Sequence, residues 1–98
     1  MVFPDFLCIG AQKAGTTWIY ANLSKHPDIF LTKSKELHYF NGGYRKYSLK
    51  QYSKNYMSKG NMLGGDMTPD YSALQEKEVL YIHQLMPDSK IILLYRNP

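Results

Sequence analysis

The chain has 98 residues, 44% of them apolar and 14% aromatic, which bounds it to one domain and excludes a disordered, collagen-like or coiled-coil chain. No apolar run approaches the roughly 20 residues needed to cross a bilayer; the longest, Ile91-Ile92-Leu93-Leu94 with Tyr95, is the size of a strand. The net charge of +4 is unevenly held: residues 1–31 sum to zero, 32–60 to +6 and 61–98 to −2. The middle third is therefore the cationic surface, and an anionic partner is expected.

Phe6 to Ile9 is a short apolar run ended by Gly10, the pattern of a buried strand leaving a sheet. Its one cysteine, Cys8, reads as a small buried hydrophobe. A loop from Gly10 to Gly15 follows, and Thr16 and Thr17 offer hydroxyls where a helix can begin. That helix runs to Lys25 with Trp18, Ile19, Ala21 and Leu23 as an irregular apolar face, and His26-Pro27-Asp28 breaks it. Ile29-Phe30-Leu31 reads as a second strand, Glu36 to Phe40 as a loop or strand edge, and Asn41-Gly42-Gly43 as a turn.

Leu49, Tyr52, Tyr56 and Met57 fall on one helical face, with Lys46, Lys50 and Lys54 recurring every fourth residue on another. Such a lysine stripe is either a solvated face or a holder for an acidic glycan, and Tyr44, Tyr47, Tyr52 and Tyr56 read as packing rather than a sugar platform. Asn61 to Pro69, with Gly64-Gly65, reads as loop. Gln75 to Met86 is a helix with Val79, Ile82 and Met86 along one side, stopped by Pro87. Lys90 to Tyr95 does not alternate with polar residues and reads as a strand buried on both faces.

Strands alternating with helices predict an α/β fold: a parallel sheet with crossover helices and a P-loop-like strand-loop-helix at the N-terminus. Three parallel strands ending on an apolar one make a poor independent unit. Residues 1–98 are accordingly expected to be the N-terminal portion of a single larger domain. The scattered His26, His38 and His83 have no metal-site spacing, so no metal is expected.

Gly10-x-x-x-x-Gly15-Thr16-Thr17 has the parts of a phosphate cradle: glycines that admit an anion, loop N–H groups, and the positive end of a helix. The nucleotide-triphosphatase loop needs lysine directly after its second glycine. Here that position is Thr16, and the loop's lysine is Lys13.

Phe6 to Trp18, with Gly10-Ala11-Gln12-Lys13-Ala14-Gly15-Thr16-Thr17 at its centre, resembles the 5′-phosphosulfate loop of the sulfotransferases, which use 3′-phosphoadenosine 5′-phosphosulfate (PAPS) as donor. Lys35-Glu36-Leu37-His38-Tyr39-Phe40 resembles the Lys-Glu-x-His-Phe-Phe segment of the heparan-sulfate-type branch. Lys90 to Pro98, ending Arg96-Asn97-Pro98, resembles the strand that opens the 3′-phosphate motif. The three segments occur in the family's order over nearly the whole chain. One departure is Asp66-Met67-Thr68, where that branch commonly has Glu-Lys before its Ser/Thr.

The resemblance implies an incomplete sulfotransferase domain, and it implies roles. Gln12, Lys13, Ala14, Gly15, Thr16, Thr17 and Trp18 would bind the donor's 5′ end, with Lys13 stabilising the leaving phosphate. Arg96 would bind the 3′-phosphate, since a guanidinium fork matches phosphate oxygens. Glu36 would be the general base, a carboxylate being charged and able to accept a proton at neutral pH. His38 would orient Glu36, touch the acceptor, or serve structure alone. The expected acceptor is a small molecule or carbohydrate bearing a hydroxyl or amine, with no nucleic-acid partner and no membrane segment in the chain.

Because Met1-Val2-Phe3-Pro4-Asp5 lacks a cationic signal start, a native N-terminus here predicts a cytoplasmic protein, whereas an anchor upstream would predict the Golgi lumen. The competing expectations are a divergent P-loop nucleotide kinase, which lacks its lysine after Gly15, and a basic nucleic-acid-binding module using Lys46, Lys50 and Lys54. The second leaves Gly10–Thr17 unexplained.

Overall fold

A computed structural model of the chain describes residues 1–10, 15–34 and 36–93. The strands β1 (Phe6–Cys8), β2 (Ile29–Leu31), β3 (Leu63–Met67) and β4 (Lys90–Ile92) form one parallel sheet in the order β2-β3-β1-β4. The helices are α1 (Thr16–Leu23), α2 (Leu49–Lys54) and α3 (Glu76–Leu85), with 3-10 turns at Gly43–Arg45 and Pro69–Ala73. The α/β architecture predicted from strand-helix alternation is therefore observed.

The sheet has a strand that the sequence pattern hides. Leu63–Met67, expected as loop, is β3, central in the sheet and paired with β1 (Phe6↔Gly65, Cys8↔Met67) and β2 (Ile29↔Leu63). Two glycines and an aspartate are poor strand formers, and here packing overrides propensity. A Cβ on Gly65 would stand 2.2 Å from Phe6 Cζ, so the Phe6 ring occupies the space a side chain would need. A Cβ on Gly64 would meet Lys59 Cδ at 3.0 Å and Tyr56 Cδ1 at 3.1 Å, a tighter fit than ordinary contact but no overlap of the Gly65 kind.

Most of the core is aromatic. Leu7 from β1 packs with Tyr39, Phe40, Tyr52, Tyr56, Tyr71, Ile82 and Met86, all buried. Tyr39 and Tyr52 stack at 4.5 Å between centroids, and Phe40 meets Tyr52 and Tyr71 edge-on at 5.2 and 5.6 Å. These are geometries that aromatic quadrupoles favour. Ser48 and Gln51 cap α2 reciprocally: the Ser48 hydroxyl accepts Gln51 N–H while Gln51 Oε1 accepts Ser48 N–H.

Several predicted faces shift once packing is known. Helix α2 ends at Lys54, so Tyr52 and Tyr56 reach the core while Met57 is exposed. Lys46 precedes α2, which leaves only Lys50 and Lys54 on the helix rather than a three-lysine stripe. On α3 the inward face carries Glu78, Ile82 and then Met86, a rotation that leaves Val79 exposed. Trp18 and Ala21 are exposed on α1. Strand β4 lies at the sheet edge with Ile91, Ile92 and Leu93 open to solvent among the described residues. Leu94 and Tyr95 of the expected strand lie outside the described residues.

Gly65→Ala is expected to destabilise the full-length protein by about 1–3 kcal/mol through overpacking against Phe6, read as a lower urea midpoint. The Glu78 carboxylate accepts Gln75 N–H at 3.0 Å and the Tyr44 hydroxyl at 2.9 Å, and the first of these is the main cause holding its pKa below the ordinary glutamate value. Its stabilising effect is complete above the unfolded pKa and fades as pH falls through the lower folded value. Glu78→Gln should therefore weaken the protein at neutral pH and flatten this part of its acid sensitivity, measured as urea midpoint against pH.

Candidate active site

All four parallel strands point their carboxyl ends to one edge of the sheet. The connections from β1 to β2 and from β3 to β4 leave in opposite directions across the strand order, which makes the ends of β1 and β3 a topological switch point. Ligands of open α/β sheets bind at such a point. The Gly10–Gly15 loop leaves β1 there, the Glu36 segment follows β2, and Thr68–Asp70 follows β3. A Cβ on Gly10 would stand 3.1 Å from Pro69 O, so the first residue of the loop lies against the turn after β3.

Gly15 is the N-cap of α1, at φ 84°, a left-handed conformation that glycine adopts without strain. Gly15 carries no capping side chain and the first turn holds no acidic residue. A helix N-terminus of this kind attracts anionic groups. Thr17 and Trp18 stand exposed on the first turn. Gln12, Lys13, Ala14 and Arg96 lie outside the described residues, as does the Thr16 side chain.

Glu36 and His38 are brought together. Glu36 Oε1 lies 3.1 Å from His38 Nε2, and His38 Nδ1 lies 3.1 Å from Asn41 Nδ2 and 3.6 Å from Asp70 Oδ2. A hydrogen on Nε2 is donated to Glu36, and Nδ1 faces both Asn41 and Asp70. His38 sits at φ 55°, uncommon for a residue with a side chain. Its carbonyl accepts Gly43 N–H at 2.9 Å, closing the turn. Glu36 also lines an open cavity of about 470 Å³ bounded by Ser34, Leu37, Tyr39, Tyr47, Gln51, Tyr52 and Asn55. Tyr47 is the exposed tyrosine of that wall, with the Lys46 ammonium 5.5 Å from its ring centre.

Beneath this segment lies a cluster that sequence reasoning did not single out. Asp66 on β3 is fully buried, and its carboxylate accepts hydrogen bonds from the hydroxyls of Tyr52 (2.7 Å), Tyr71 (2.8 Å) and Thr68 (2.8 Å). Burial raises its pKa, and the three hydroxyl donors oppose that rise. Burial also raises the pKa of Tyr52 and Tyr71, reinforced by the Asp66 charge. The one signal in the sequence was the departure Asp66-Met67-Thr68 itself.

A family model described as the sulfotransferase domain matches residues 3–98. The chain belongs to the sulfotransferase family. It is 34% identical over 102 residues to the membrane-associated sulfotransferase kil1 of Dictyostelium discoideum, a match covering 100% of this chain and 21% of that protein. It is 31% identical over 96 residues to human heparan sulfate glucosamine 3-O-sulfotransferase 6, covering 98% of this chain and 28% of the relative. A bacterial sulfotransferase from Alicyclobacillus acidocaldarius shares the fold at a TM-score of 0.79 and 24% identity, covering 95% of this chain and 44% of that one. This sulfotransferase-family chain thus spans 21% and 28% of these two curated relatives' length. No helix among the described residues is long and apolar enough to cross a membrane.

Among the described residues, nothing beyond its chain neighbours and its own helix backbone lies within 4 Å of a Cβ built on Gly15, so the cost of Gly15→Ala is conformational, about 1–2 kcal/mol for a left-handed alanine. The expected result is a matching drop in unfolding free energy of the full-length protein.

Proposed function

We propose that residues 1–98 are the N-terminal part of one sulfotransferase domain that moves a sulfuryl group from PAPS to a hydroxyl or amine, with a carbohydrate as acceptor. The observation that carries this reading is the placement of Glu36. Its carboxylate borders an open cavity of about 470 Å³, His38 lies 3.1 Å from it, and its segment shares the sheet edge with the Gly10–Gly15 loop. Two kinds of heparan sulfate enzyme among the relatives, the 3-O-sulfotransferase and a mouse bifunctional N-deacetylase/N-sulfotransferase 33% identical over 109 residues, favour a sugar acceptor and leave both oxygen and nitrogen as its nucleophile.

In this reading the acceptor enters the cavity and Glu36 takes its proton as the new bond to sulfur forms. The bond from sulfur to the bridging phosphate oxygen breaks in line, and the electron pair leaves on that oxygen. Lys13, the loop amides and the N–H groups of α1 stabilise the charge that gathers there. His38 keeps Glu36 turned toward the acceptor. Arg96 holds the donor's 3′-phosphate, and Thr17 and Trp18 border its 5′ end.

In the full-length protein, Glu36→Gln is expected to lower kcat by about 10²–10⁴-fold, the usual worth of a general base. Lys13→Ala should cost about 10²–10³-fold, typical of a group that stabilises developing charge. Both variants should still be retained on 3′,5′-adenosine-bisphosphate resin, and EDTA should leave donor binding unchanged. Wild-type rates in both variants would remove these residues from the mechanism.

A further inference from the structure

The segment that carries Glu36 is irregular, and its backbone amides cannot be satisfied by a sheet ladder. Four consecutive N–H groups turn instead to two side-chain oxygens. Leu37 N–H and His38 N–H reach Thr68 Oγ1 at 3.1 and 3.3 Å, while Tyr39 N–H and Phe40 N–H reach the Tyr71 hydroxyl at 3.1 and 3.4 Å. A hydroxyl has one hydrogen and two lone pairs. Both Thr68 and Tyr71 spend the hydrogen on Asp66, Thr68 on Oδ1 and Tyr71 on Oδ2, so both lone pairs of each face the segment. The Tyr52 hydroxyl supplies a third donor to Asp66, at Oδ2.

From this proton count we infer that Asp66 is a positioning residue for Glu36, acting through Thr68 and Tyr71 on the residues immediately after it. Asp66 touches no reacting group. As an acceptor it fixes which way two hydroxyl hydrogens point, and thereby makes those oxygens acceptors for the amides that hang the catalytic segment on β3. With an amide at position 66, one acceptor oxygen becomes a donor and one hydroxyl must turn its hydrogen elsewhere. That hydrogen then competes with an amide N–H for the same oxygen, leaving a buried N–H unpaired and the segment loosened. The inference rests on the reading of Glu36 as the base, because the rate effect it describes passes through that carboxylate.

The test uses the full-length protein and Tyr71→Phe, which keeps the ring in the core and removes only the oxygen. Amide hydrogen exchange at Tyr39 and Phe40 should accelerate. In a sulfuryl-transfer assay kcat should fall about 10–100-fold, in line with the sensitivity of catalysis to misplacement near 1 Å, while the donor KM stays within about twofold. In a Glu36→Gln background the same substitution should cost nothing further, since the residue being positioned is already disabled. Thr68→Val should reproduce the loss at Leu37 and His38, with Thr68→Ser restoring most of it, and Asp66→Asn should loosen at least one of the two pairs. Unchanged exchange, an unchanged kcat in folded Tyr71→Phe, or a full multiplicative loss on top of Glu36→Gln would each overturn the inference. Failure of the underlying reading appears separately, as a wild-type protein that transfers no sulfuryl group before any variant is compared.

Discussion

A single buried carboxylate organises the sheet edge on which the candidate site is built. Asp66 lies on the central strand β3, in register with Leu7 of β1, and its two oxygens gather hydroxyls from α2 and from the turn after β3. A carboxylate taken fully out of water is costly unless hydrogen-bonded, and three donors are what make its burial tolerable. In return the network joins elements far apart in sequence: the Glu36 segment, α2 and the turn beyond β3. Tyr52 also stacks on Tyr39, and Tyr52 and Tyr71 both meet Phe40 edge-on, so the polar network and the aromatic core share their side chains.

The division of labour at the site follows from this arrangement. In the proposed reading the donor meets backbone: Gly15 caps the positive end of α1, whose first turn holds no acidic residue. The acceptor in that reading meets side chains, with Glu36, Tyr39, Tyr47 and Gln51 around an open cavity. Backbone N–H groups suit an anion that keeps the same shape in every turnover, while side chains can be varied for different acceptors. Relatives named for 3-O- and for N-sulfotransfer sit on the same family scaffold, which agrees with that separation.

Much of this was legible in the residues because local physics governs it. The Phe6–Ile9 run, the glycines bounding the loop, the break at Pro27 and the stop at Pro87 each act over a few residues, and the structure places the expected elements there. The pairing of Glu36 with His38 could not be read from their spacing, since two residues apart on a loop leaves the side-chain directions open. The reading of Asn61 to Pro69 as loop failed for a definable reason. Gly64, Gly65 and Asp66 oppose strand formation locally, and only the Phe6 ring, Tyr56 and the three hydroxyls make a strand the favourable conformation.

The sequence by itself determined the alternation of strand and helix, the loop chemistry and the order of three family-like segments, because these depend on residue type and near neighbours. Only the tertiary structure decided that β3 runs through the middle of the sheet, that β4 lies exposed at its edge, and that Asp66 sits beneath the Glu36 segment. Those outcomes depend on contacts between residues far apart in the chain: Phe6 with Gly65, Tyr52 with Asp66, and Leu37 with Thr68. No local pattern encodes such contacts, and they form only when several elements pack at once.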